Sequence, residues 1–167
     1  MNRPELALTV ATVAAIVAIV VAGPLFLPEE ATVVEASSTP TGIDRGPTTV
    51  VATGTFEGKA GHTVRGQVSL VEDAEGYLLR FEDYEQTQGP DVYVYLTQVA
   101  DPDTRGAVGA GYKVRIDGGA GNGESTKVGT FEQRLPDDLD PRAFRGVAIW
   151  CDRFATPFGA ATLEPVA

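Results

Sequence analysis

Two side chains with chemistry to offer occur once each in this sequence, His62 and Cys151. A Cys–His nucleophilic pair would need the fold to bring them together across 89 residues. Other chemistries fail on residue type. There is no Gly-x-Ser-x-Gly elbow for a hydrolytic serine. Structural zinc needs four Cys or His ligands, a c-type haem needs Cys-x-x-Cys-His, and blue copper needs two His with a Cys. No metal site is therefore expected. What survives is a thiol acting alone, or His62 and Cys151 as the axial pair of a non-covalently held haem. Each residue also has a plainer reading: Cys151 as a small core hydrophobe, and His62 as a solvated turn residue at the start of a strand.

The thiol sits in Gly146-Val147-Ala148-Ile149-Trp150-Cys151-Asp152-Arg153-Phe154, which also holds the only Trp. Alternation of period two reads as a β-strand, with Val147, Ile149 and Cys151 on one face and Ala148 and Trp150 on the other. In a two-layer domain only one of those faces points inward. The aliphatic row argues that Cys151 faces the core, close to the sheet rim because two charged residues follow it. Trp150 then needs cover on the outer face, from the 153–158 corner or from the Gly-rich stretch before residue 126.

The elements that must position this strand are short and separated by turn residues. Strands are expected around Thr49–Phe56, with Gly54 as a bulge, then at 62–71 and 77–81. Others are expected at 92–97, 112–116, 126–131 and 160–163. Val92, Val94 and Leu96 share one face; Tyr93, Tyr95 and Thr97 share the other. The spacing predicts an all-β fold, an antiparallel sandwich or barrel-like domain. Its expected core is Phe56, Val64, Val68, Leu70, Leu79, Phe81, Val92, Val94, Leu96, Val147, Ile149 and Phe154. Residues 101–125 read as a mobile Gly-rich surface excursion, since no Lys-Ser/Thr pair or helix-forming segment follows the glycines as in a phosphate loop. One helical turn fits the acidic segment 135–141.

The N-terminus belongs to a different environment. Residues 6–27 carry no charge, a run of 22, about the 20 that a helix needs to span a bilayer. Arg3 precedes the run and Glu29-Glu30 follow it, so the positive-inside bias leaves everything beyond it extracytoplasmic. Residues 1–28 are expected to form a transmembrane helix, preferred over a cleaved signal segment because apolar residues continue past the small residues at 18–23. Residues 29–47, rich in Thr, Ser, Pro and Gly, read as a flexible spacer, and 48–167 as the β domain. The expected location is the cell membrane, single-pass, with the C-terminal domain outside.

Charge narrows the partners. Twenty-three acidic residues against 13 basic ones give a net of −10, which argues against nucleic acid and against anionic lipid surfaces. A Lys-poor acidic surface suits high salt, where screening removes self-repulsion, and points to a halophilic source. A single Cys outside the cell has no intramolecular partner, which suggests a reactive thiol or an intermolecular bond.

The segments Gly54-x-Phe56, His62-x-x-x-Gly66, Gly89-Pro90-Asp91-Val92-Tyr93-Val94-Tyr95-Leu96, Leu135-Pro136 and Trp150-Cys151-x-Arg153-Phe154 resemble the DM-thirteen electron-transfer domain, a family found beside DOMON domains and membrane cytochromes. The resemblance covers roughly 50–164. It implies an extracytoplasmic all-β fold and a redox role for one cysteine, as a bare thiol or bound to a prosthetic group such as haem. Carried onto this chain, that cysteine is Cys151 and the family's early histidine is His62. The expected function is a membrane-anchored electron-transfer module, with a redox protein or membrane cytochrome as partner. The alternative is a non-catalytic binding or adhesion module in which Cys151 is structural.

Overall fold

The structure, a computed structural model, describes residues 46–120 and 126–167, all within the second of the chain's two units, Ala31–Ala167. The expected anchor, and the spacer up to residue 45, lie outside the described residues. Among the described residues no helix is long and apolar enough to cross a membrane.

Among the described residues, ten strands form two antiparallel sheets. One contains β1 (Thr49–Thr55), β3 (Val64–Asp73), β4 (Gly76–Gln86), β7 (Gly129–Arg134) and β10 (Glu164–Pro165), in the order β10-β1-β3-β4-β7. The other contains β2 (Glu57–Gly58), β5 (Val92–Thr97), β6 (Tyr112–Val114), β8 (Gly146–Cys151) and β9 (Thr156–Thr162), in the order β2-β9-β8-β5-β6. This is the sandwich rather than the barrel of the two expected forms.

The alternating apolar faces of β3, β4, β5 and β8 meet in one core that includes Val68, Leu70, Leu79, Phe81, Val94, Leu96, Val147 and Ile149. At one part of it the rings of Phe56, Phe81, Tyr84 and Phe131 pack with centroids between 4.5 and 6.2 Å. Tyr84 reaches this cluster because β4 bulges after Phe81, where Asp83 takes a left-handed backbone (φ 49°). Burial pushes the Tyr84 hydroxyl far above its ordinary pKa, and its hydroxyl hydrogen-bonds Gln86 Oε1 at 2.6 Å.

Three local expectations need correction. Phe154 is 66% exposed, not core: the strand stops at Cys151 and a turn through left-handed Ala155 (φ 49°) ends the alternation before Phe154. The irregularity in β1 lies between Val50 and Ala52, whereas Gly54 is a close approach whose Cβ would run into the Thr162 carbonyl. As far as residue 120 the stretch after residue 101 is built, not loose; residues 121–125 lie outside the described residues. Thr104 caps a short helix α1 (Arg105–Gly109), and Val108, Val114 and Ile116 are buried. Tertiary burial of Val108 outweighs the poor helix propensity of the glycines around it.

Candidate functional site

Every position of β8 is buried, because the strand lies between β5 and β9 and both its faces are covered. The register sets Cys151 opposite Val92 and Ile149 opposite Val94, so the thiol continues the inner apolar row as its last member. It has no exposed surface. Its hydrogen is not wasted there: Sγ donates to the Pro90 carbonyl at 3.0 Å.

That carbonyl belongs to the 89–91 turn, which is fixed from three sides. Gly89 rests on the Phe158 ring so closely that a Cβ would come within 2.6 Å of it. Asp91 adopts a left-handed backbone (φ 52°), a conformation that costs a non-glycine residue about 1–3 kcal/mol and must be held by its surroundings. What holds it is the Asp152 amide, donating to the Asp91 carbonyl at 2.9 Å, together with Arg153 Nε on Asp91 Oδ2 at 2.8 Å. The ion pair is half-exposed, so the backbone bond is the stronger restraint. The two residues after the thiol thus tie down the turn that covers it.

His62 lies in the β2–β3 connection, its amide bonded to the Lys59 carbonyl at 2.9 Å. Its ring stacks on Phe158 at 3.7 Å and 11°. Phe158 is the extra residue of a bulge in β9, where Ile149 pairs with Gly159 and Trp150 with Pro157. The bulge places the Phe158 ring against both His62 and Gly89. His62 and Cys151 therefore approach the same turn, one on the Phe158 ring and one under Pro90. As placed they do not fit a haem. An axial pair needs a slot as wide as the macrocycle between sulfur and imidazole, whereas the sulfur is closed into the core.

The outer face of the same sheet carries a second constellation. Trp150 faces away from the core and is covered by Val108 of α1, with Ala148, Tyr95 and Ala155 around it. The cover comes from the Gly-rich stretch and from the corner at once, though not from Phe154. Beside it, the Tyr95 hydroxyl donates to both oxygens of Asp152, at 2.7 and 2.9 Å. Lys113 Nζ pairs with Asp152 at 2.7 Å and lies 3.2 Å above the Tyr93 ring. Burial, then the hydrogen bond to Asp152 and its charge, raise the Tyr95 pKa well above the ordinary tyrosine value. Sequence reasoning put Tyr93 and Tyr95 on one face but missed their link to Asp152 and Lys113. The pairing of β5 with both β6 and β8 creates it, and the only prior signal was polar side chains on an otherwise apolar sheet.

The family model for Electron transfer DM13 matches residues 55–163, from the end of β1 through β9, and takes in both constellations. The chain belongs to the DM13 electron-transfer family. No curated protein and no solved structure gives a match. Within the DM13 match lie His62, the 89–91 turn and the whole of β8, so the inner and outer faces around Cys151 are both part of the family domain.

Proposed function

We propose that this DM13 domain is a membrane-anchored, extracytoplasmic electron-transfer module whose redox group is the bare thiol of Cys151. The observation that carries the reading is the bond from Sγ to Pro90 O in a turn held by Asp91, Asp152 and Arg153. A cysteine acting only as core filler has no need of a clamped acceptor at the sheet rim. The uncharged run at 6–27 and the acid pair that follows it support the anchor and the outside location. A redox protein or membrane cytochrome would meet the domain at the rim formed by the 89–91 and 152–155 turns, within a residue of the sulfur.

The competing reading, a binding or adhesion module with a structural cysteine, draws on the complete burial of Cys151. Direct electrochemistry of the full chain separates the two. A reversible wave present in the native protein and absent from C151A supports the thiol. Identical voltammograms for the two proteins would assign Cys151 to the core alone.

A further inference from the structure

The Tyr95–Asp152 pair has the parts of a proton-coupled electron carrier, and the other described tyrosine hydroxyls with known partners lack them. A phenol is oxidised at accessible potential only if its proton leaves with the electron, so a base must already hold the hydroxyl hydrogen. Tyr95 meets that condition with a carboxylate on its O–H at 2.7 and 2.9 Å. Tyr84 bonds the amide oxygen of Gln86, a far weaker base. Tyr77 receives a bond from Arg142 Nε at 2.7 Å, so its nearest partner is a donor rather than a base. The Lys113 ammonium stands 3.2 Å over the Tyr93 ring and 5.9 Å from the Tyr95 ring, so it opposes removal of an electron more strongly at Tyr93. Tyr95 also packs against the cluster that contains Trp150, another readily oxidised side chain of this sheet.

We propose that Tyr95 is a one-electron, one-proton relay residue on the outer face of the second sheet, with Asp152 as its proton acceptor. This rests on the electron-transfer reading of the domain but uses neither the thiol nor a cofactor. The oxidant is a high-potential one-electron acceptor, either an oxygen-centred radical or an oxidised metal centre of a docked partner. In the step, Tyr95 gives one electron to that oxidant. Its O–H bond breaks, an O–H bond forms on a carboxylate oxygen of Asp152, and a neutral phenoxyl radical remains beside a neutral acid. Reduction returns the electron to Tyr95 and the proton from Asp152, so the couple resets without exchanging a proton with water. Lys113, on the same carboxylate, holds Asp152 in place as a positioning residue.

The test is flash oxidation of the full chain by photogenerated ruthenium(III) tris-bipyridine, with the phenoxyl radical followed by its near-ultraviolet band and its electron paramagnetic resonance signal. The relay predicts that Y95F loses that signal. It also predicts that D152N forms it about a hundredfold more slowly, the low end of what a positioned base supplies. The native rate should slow in D2O, and K113M, which keeps the carboxylate, should stay closer to native than D152N. Y95F preserves the ring and carries the test should D152N fail to fold. A phenoxyl signal that persists in Y95F, or an unchanged rate in D152N, overturns the proposal. C151A keeps the two readings apart: a native Tyr95 signal there establishes the relay whatever becomes of the thiol. A Cys151 wave without a Tyr95 radical removes the relay and leaves the thiol reading standing.

Discussion

The Cys151 sulfur and the Pro90 carbonyl lie 3.0 Å apart, 61 residues distant in the chain, and the thiol is closed from solvent by that contact and by the core behind it. Opening the 89–91 turn is the shortest way to expose it.

Alkylation of the folded chain should accordingly be slow, and G89A should accelerate it. The added Cβ would stand 2.6 and 2.7 Å from two Phe158 ring atoms and 3.0 Å from Val92 Cγ2, so the turn must lift or the ring must move. We expect a stability loss of about 1–3 kcal/mol, typical of overpacking. Thiol labelling rates compared under native conditions check this; equal rates in G89A and native protein would show that the turn does not control access.

Alkali should destabilise the domain through two tyrosines. Tyr84 and Tyr95 hold their protons more tightly in the fold than the ordinary value of 10.0. Above that pH the unfolded chain has released protons that the native state still binds, so stability falls as pH rises. Of the five tyrosines in the sequence, these two should stay out of the tyrosinate absorbance titration until the chain unfolds. Five hydroxyls titrating together before loss of circular dichroism would contradict this.

Truncation of Trp150 should cost about 3–5 kcal/mol, as for a large buried aromatic. V108A should cost less, yet shift the tryptophan emission to the red, because Val108 covers the indole from α1. An unshifted V108A spectrum would mean that α1 does not cover the indole.

Added haem should not find a site made by this pair. With Cys151 closed into the core and His62 stacked at 3.7 Å on Phe158, H62A and C151A should take up haem no differently from the native chain in a Soret titration. A Soret band lost on either substitution would mean that the turn opens to make an axial pair.

Salt should raise the melting temperature. A net charge of −10 repels itself, and going from 0.01 M to 1 M salt shortens the screening length from about 30 Å to about 3 Å. Melting followed across that range checks it; a flat response would remove the argument for a high-salt habitat.

The pattern of β8 and β5 was legible because a sheet enforces period two: Val92, Val94 and Leu96 face Cys151, Ile149 and Val147 across the register, and all six are buried. The inward thiol and outward indole followed from the same rule. What the sequence hid were features decided by contacts between distant segments. Period two sets Phe154 with Ala148 and Trp150 rather than with Cys151, so its place in the expected core ran against the rule, and the turn after Cys151 leaves it exposed. The Gly-rich segment looked unstructured because its order comes from docking Val108 on a sheet whose outer face only folding creates. The bulge that presents Phe158 to His62 depends on a one-residue mismatch between β8 and β9, which no single strand reveals.

The only indole and the only thiol in the chain are joined by one peptide bond and point to opposite sides of one strand. The fold therefore has a reporter of its own. A change in sulfur oxidation state or in the turn above it acts on a fluorophore one residue away, yet the indole itself is on the other face of the strand from the sulfur. Emission intensity of Trp150 can follow the chemistry of Cys151 in real time, without a dye and without disturbing the face where that chemistry takes place.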